Sequence, residues 1–294
     1  MPASLSPALV AAVDDLEVAA RLIVEGMRSG QHRSPFHGFS TEFSQYRAYR
    51  PGDDLKYLDW KVLARTDRLY TRQFRETTNM SAMLCLDSSA SMAYPDTGLS
   101  KFRYAAMMAA ALAHLIIMQG DAVGLMTMQD GRLVYVPARG GRGHLRTVLA
   151  HVDRLTPLGQ WDPGTVMTRA ADLLRRRGLV CVLSDFYDDP EATRAEMRRV
   201  GRRGHDIALL QVVSREEIDL PFTGDLEFED LETGARAWLD PVTARAGYRD
   251  ALAGFLQEWR SSATRDGFDY VLMTTDEKPS EALRRYLLRR GAKR

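Results

Sequence analysis

The chain has 294 residues, 45% of them hydrophobic and 27% charged, with 40 basic and 39 acidic side chains for a net charge of +1. Those values exclude collagen-like, mucin-like and disordered classes and give no global field for DNA or an anionic membrane. At about 150 residues per domain, the length suits one large domain or two modest ones.

Only five of the basic residues are Lys (56, 61, 101, 278 and 293), so Arg dominates. Arg suits planar contacts to carboxylate or phosphate, although a GC-rich genome accounts for the same bias. Cys85 and Cys181 each sit in an apolar run, without CxxC or CxxH spacing, as buried thiols of a reducing compartment do. The N-terminal stretch lacks a basic region and carries Asp14, Asp15 and Glu17, unlike a signal peptide. The apolar stretch Tyr104 to Met118 is too short to span a bilayer. The expected location is cytoplasmic, with no membrane partner.

In chain order, Ser6-Pro7 opens a helical pattern that runs through Leu9, Val13, Leu16, Ala19 and Ile23 and closes at Gly30. Residues 31–47 read as polar loop, Tyr49 to Asp54 as a turn, and Leu55 to Phe74 as two short strands around Thr66-Asp67. From Met80 strands alternate with helices. Strands are expected at Ala82–Leu86, Ala122–Met128, Leu133–Val136, Leu179–Leu183, Asp206–Val213 and Phe268–Met273. Helices are expected near 100–118, 143–155, 164–176, 191–200 and 242–264, with a last one carrying Arg284, Arg285, Arg289 and Arg290. Residues 214–241 read as an acidic insertion holding a hairpin. The fold class is therefore α/β: a doubly wound, mostly parallel six-stranded sheet (80–294) behind a small accessory block of helix and short strands (1–79).

Such sheets carry their chemistry at the carboxyl ends of the strands, at the switch point flanked here by strands one and four. Asp87-Ser88-Ser89-Ala90-Ser91 follows strand one, Gly164-Thr165 opens a helix, and Asp185 follows strand four. These are hard oxygen donors suited to a small divalent cation such as Mg²⁺. With few direct carboxylates, the ion keeps positive charge and an open position, which makes it an electrophile for a partner's Asp or Glu. The spacing of Asp87, Ser89 and Ser91 puts three side chains on one side of an extended loop. The alternative is that the serines cap the next turn and Asp87 is an ordinary strand-end carboxylate.

This D-x-S-x-S, with a later Thr and a later Asp, resembles the metal-ion-dependent adhesion site of von Willebrand factor A domains. The resemblance implies Asp87, Ser89, Ser91, Thr165 and Asp185 as ligands of Mg²⁺ or Mn²⁺. It departs at Phe186, where glycine is usual. The upstream residues Glu25-Gly26, Ser29-Gly30, His32-Arg33-Ser34, Gly38, Glu42-Phe43, Arg47 through Asp54, Leu58-Asp59-Trp60 and Ala64-Arg65 resemble the bacterial family called domain of unknown function 58. That resemblance implies a von Willebrand A-like domain of Rossmann type, acting without catalysis as a metal-dependent adaptor for a MoxR-type AAA+ ATPase or its client.

Within the upstream block, Arg47, Tyr49, Asp53, Asp54, Asp59, Trp60 and Arg65 are candidate partner-binding residues. An internal ion-pair network is the rival reading, favoured by the turn residues and Trp60. The loop Arg139 to His144 lacks the third glycine of a dinucleotide fingerprint and reads as a flexible connection. The Arg-rich helix ends read as solvated, the Arg284–Arg294 cluster as a charged tail, and Met107, Met108, Met118 and His114 as core. A Mg²⁺-dependent hydrolase using the same pocket is one alternative function, but position 89 is Ser where an aspartyl-phosphate enzyme needs its second Asp. A nucleic-acid binder working through the Arg clusters is the other, and the neutral net charge argues against it.

Overall fold

The computed structural model describes residues 13, 15–29, 43–49, 58–74, 80–95 and 97–292. The chain divides into two units, one of Met1–His37 with Met80–Arg294 and one of Gly38–Asn79.

In the larger unit, helix α1 (Leu16–Ser29) starts behind Asp15, whose Oδ1 accepts the Glu17 amide at 2.7 Å. The start expected at Ser6-Pro7 lies outside the described residues. Helix α1 buries Leu16, Ala19, Ala20, Ile23 and Val24 in the same core as the sheet, so it belongs with the larger unit and not with the block that follows it.

In the smaller unit, β1 (Phe43–Ala48) pairs antiparallel with β2 (Tyr70–Phe74). Between them lies helix α2 (Trp60–Thr66), where the first of two short strands was expected; the second recurs as β2. Asp59 is the reason: its Oδ1 accepts the Val62 amide at 3.1 Å, and the helix formers Lys61, Leu63, Ala64 and Arg65 follow that cap. The partner of β2 comes instead from the segment read as polar loop.

From residue 80 the order is β3 (Ser81–Leu86), α3 (Lys101–Met118), β4 (Ala122–Gln129), β5 (Arg132–Arg139), α4 (Arg142–Asp153), α5 (Pro163–Leu173), β6 (Leu179–Ser184), α6 (Pro190–Arg202) and β7 (Asp206–Val213). There follow α7 (Arg215–Asp219), the hairpin β8 (Leu226–Glu229) and β9 (Arg236–Leu239), α8 (Pro241–Arg265), β10 (Asp269–Thr274) and α9 (Pro279–Ala292). The main sheet runs β10-β7-β6-β3-β4-β5 and is parallel except for β5, which pairs antiparallel with β4. The six strands predicted for this sheet all recur, and β5 extends the short third one.

Side chains alternate between the faces, as the pleat requires. Ala82, Leu84 and Leu86 join α1, α3 and α9 on one face, while Met83 and Cys85 join α5, α6 and α8 on the other. Gly124 permits the close approach of β5, since a Cβ there would lie 2.7 Å from the Val136 carbonyl oxygen. The stretch Tyr104 to Met118 reads as too short to span a bilayer, but helix α3 extends it to 18 residues and is the one helix among the described residues long and apolar enough to cross a membrane; 83% of it is buried in this core. Met107 and Met108 are buried as expected, but Met118 at the helix end is 56% exposed. His114 is half-buried, and its Nδ1 lacks the hydrogen-bond partner expected of a satisfied core histidine.

The Arg139–His144 connection shrinks to Gly140-Gly141, because β5 ends at Arg139 and α4 begins at Arg142. The terminal Arg cluster is not a loose tail. Arg289 donates to the Tyr270 carbonyl at 2.8 Å, and Arg290 pairs with Asp206 and Asp269, both at 3.1 Å, fastening α9 to the sheet.

Candidate metal and partner-binding site

Strands β3 and β6 are parallel neighbours, and the chain leaves them toward opposite sides of the sheet, which opens a crevice at their carboxyl ends. Asp87 follows β3 and is fully buried. Its Oδ1 accepts the Ser89 amide at 2.8 Å, and its Oδ2 accepts the Ser184 hydroxyl at 2.6 Å. Ser89 and Ser91 stand hydroxyl to hydroxyl at 3.1 Å, and Ser91 Oγ donates to Asp185 Oδ2 at 3.0 Å. Four of the five expected ligands thus form one connected cluster from two strand ends, with Ser184 as an additional brace.

Thr165 is not part of that cluster. Its amide and hydroxyl both bond the helix cap Asp162, at 3.0 and 2.5 Å, and its exposed side chain lines a groove shared with Asp188. The loop before α5 does reach the cluster through its backbone: Leu158 donates to the Ser88 carbonyl and Ala90 to that of Gly159, both at 2.9 Å.

The departure at Phe186 has a structural answer. Phe186 takes φ 60°, the left-handed conformation that glycine adopts freely. Its amide donates to Ser184 Oγ at 2.9 Å, and its buried ring lies 4.9 Å from that of Trp259. Packing holds the backbone where glycine would go unaided. Behind the loop, Gln211 donates to the Asp185 carbonyl at 2.8 Å and accepts from the Tyr270 hydroxyl at 2.7 Å.

Several charged groups here were not singled out in the sequence. Lys101, the first residue of α3, is 1% exposed and lies 2.7 Å from both Asp185 and Glu217. Burial alone would lower the pKa of this ammonium, but Asp185 and Glu217 outweigh it and hold it above its ordinary value. Glu217 is itself fixed by a capping box with Ser214, a signal present in Ser214-Arg215-Glu216-Glu217. Asp188 and Glu232 complete the acidic surroundings. Burial, then the Asp185 charge, pushes Asp87 up to about 7. Burial, then Asp87, Glu232 and Asp185, pushes Asp188 up to about 8.

Among the described residues no group of three or more His, Cys, Asp and Glu is arranged as a ready-made metal cage. The donor set is instead two carboxylates with two hydroxyls, which suits a hard cation that keeps part of its water shell. The charge balance fits as well. Lys101 offsets Asp185 and Glu217, while the carboxyls of Asp87, Asp188 and Glu232 are raised first by burial and then by neighbouring negative charge, that of Asp185 in every case.

The candidate partner-binding residues belong to the smaller unit. Asp53 and Asp54 lie outside the described residues. Arg47 is in β1, and Tyr49 donates its amide to the Leu69 carbonyl at 3.0 Å. Asp59 is buried as the cap of α2, and Arg65 is exposed in its last turn. Trp60, expected to pack, is 63% exposed.

Residues 45–255 match the family described as "Protein of unknown function DUF58". A Mycobacterium bovis protein, Mb1516, is 30% identical over 231 residues, covering 78% of this chain and 72% of its own length. Bacillus subtilis YeaD is 26% identical over 148 residues, covering 47% of this chain and 35% of its own length. Among solved structures, BatB from Bacteroides thetaiotaomicron aligns with a TM-score of 0.50 and 16% identity, over 73% of this chain and 100% of BatB. The VWA domain of SpRpn10 aligns with a TM-score of 0.41 and 15% identity, over 70% of this chain and 94% of that one. The fold is the von Willebrand A-like α/β arrangement.

Proposed function

Because the chain belongs to the DUF58 family and carries a von Willebrand A-like domain, we propose that it is a protein-binding module whose crevice takes a divalent cation, Mg²⁺ or Mn²⁺, and through it a partner's carboxylate. The observation that carries this reading is the Asp87, Ser89, Ser91 and Asp185 cluster, joined by hydrogen bonds of 2.8 to 3.1 Å at the switch point of the sheet. Asp87, Ser89, Ser91 and Asp185 would hold the ion. Thr165 would join only by giving up its bonds to Asp162. A bound divalent cation supplies a Lewis-acidic position that a carboxylate from another protein can fill.

The protein's own groups prepare that position. Ser184 and the Ser89 amide aim the Asp87 carboxylate, and Lys101 holds Asp185 from the buried side. Phe186 and Gln211 fix the loop that carries Asp185. Those side chains are arranged for holding rather than for turnover, which favours a binding module over a hydrolase. A MoxR-type AAA+ ATPase, implied by the family resemblance, is the first partner to test.

The test is capture from native cytoplasm by tagged protein in Mg²⁺, in EDTA, and with Asp87→Ala, probed for that ATPase. Capture only with Mg²⁺ and intact Asp87 supports the reading. Equal capture in all three removes the cation from it.

A further inference from the structure

The main sheet of the larger unit carries opposite charge at its two ends. All its strands but β5 are parallel, so their amino ends share one edge and their carboxyl ends the other. At about 4.8 Å per strand, each edge is about 24 Å wide. The amino edge holds Arg139 at the end of antiparallel β5, Arg142 just after it, Arg175 and Arg176 before β6, Arg202 before β7 and Arg265 before β10. All six are exposed, and none has an acidic partner among the described residues. The acids nearby are already engaged: Asp172 by Arg203, Asp206 by Arg177 and Arg290, and Asp266 by Arg198.

The carboxyl edge holds Asp130 in the β4–β5 turn, Asp162 at the start of α5, Asp189 after β6 and Asp276 after β10. These four are exposed and have no basic partner among the described residues. Helix ends account for part of the pattern only. Asp162 and Asp189 cap α5 and α6, but Asp130 and Asp276 lie in turns. Arg202 and Arg265 suit the last turns of their helices, but Arg142 stands at the start of α4, where positive charge is disfavoured.

With a net charge of only +1, two copies do not repel as wholes, while their opposite edges attract. The edges also match in place. A copy shifted along the strand direction brings its Asp189 toward Arg175 and Arg176 at β6, its Asp276 toward Arg265 at β10, and its Asp130 toward Arg139 and Arg142 at β5. We infer that the partner of the Arg-bearing edge is the acidic edge of a second copy of this chain, docked head to tail. Such a contact leaves one free edge at each end and can add further copies. It also covers the β3–β6 crevice of one copy, so self-association competes with any partner at that crevice.

Association of this kind needs no cation, so the test is sedimentation of the full chain in EDTA over a range of protein concentration. In about 0.01 M salt, where the screening length is about 30 Å, the wild-type mass should climb with concentration above the 33.1 kDa of one chain. In about 1 M salt, where that length is about 3 Å, it should return to one chain. A triple variant (Arg175→Glu, Arg176→Glu, Arg265→Glu) reverses one edge, and a double variant (Asp130→Lys, Asp276→Lys) reverses the other. Every changed side chain is exposed, and circular dichroism checks that both variants fold. Each alone should stay monomeric in low salt, and an equal mixture should regain association, because the reversed edges complement each other again. Wild type that stays at one chain mass in low salt overturns the inference, even if its Arg edge then binds heparin or phosphatidylglycerol vesicles. Variants that associate alone as wild type does, or a mixture that stays monomeric, overturn it as well.

Discussion

Asp87 shows how one residue can cost the metal-free protein stability and yet make the site. Its carboxyl titrates near 7 in the fold, against 3.8 ordinarily. Between pH about 4 and about 7 the unfolded chain has released a proton that the folded chain keeps, so stability falls as pH rises through that window and levels off above it. Asp188, raised to about 8, extends the fall. In EDTA the melting temperature should therefore decline from pH 5 to pH 8, and saturating Mg²⁺ should flatten the decline. Asp87→Asn should lift the metal-free melting temperature at pH 8, and a flat profile for wild type in EDTA would contradict the account. Phe186 makes the opposite exchange, strained backbone for a buried ring. Phe186→Ala keeps the strain and loses the packing, and should lower unfolding free energy by about 3 kcal/mol in denaturant titration. Recovery of stability by Phe186→Gly to the wild-type value would mean that the ring contributes little.

At the scale of elements, the buried strut from α3 to α7 ties the site to the insertion. Lys101→Met strands Asp185 and Glu217 without their cation and should cost about 3 kcal/mol of stability, read from denaturant midpoints. Glu217→Gln should cost less, since that end is the more exposed, with 14% of the side chain accessible against 1% for Lys101. The strands were legible because apolar runs such as Ala82–Leu86 and Leu179–Leu183 are buried on both faces, a pattern only a central parallel strand needs. Asp87, Ser89, Ser91 and Asp185 were legible because each sits at a strand end whose neighbour follows from topology. Thr165 opens a helix and does not end a strand, and its local cap Asp162 claims it. Helix α2 escaped because seven residues give too little periodicity to outvote a loose alternation. Lys101, Asp188 and Glu232 escaped because their meaning lies in contacts across the fold: Lys101 meets Asp185 from 84 residues away and Glu217 from 116. A Lys opening an apolar helix behind Ser100 reads locally as nothing more than a solvated helix start.

At the scale of the molecule, several of the Arg side chains among the described residues are met by acidic partners. Arg203 meets Asp172 at 2.8 Å, Arg198 meets Asp266 at 3.5 Å and Arg177 meets Asp206 at 3.6 Å, so many of the Arg residues that suggested a nucleic-acid surface have acidic partners. Carboxyls raised by burial and like charge gather at the carboxyl ends of β3 and β6, where a cation would offset them. The most direct test of that claim is the melting temperature of wild type and Asp87→Asn at pH 8 across a Mg²⁺ titration. The account predicts a saturable rise for wild type, worth about 2.7 kcal/mol at a hundredfold excess over the dissociation constant, and none for the variant. Equal responses from the two proteins, or no response from wild type, would contradict it.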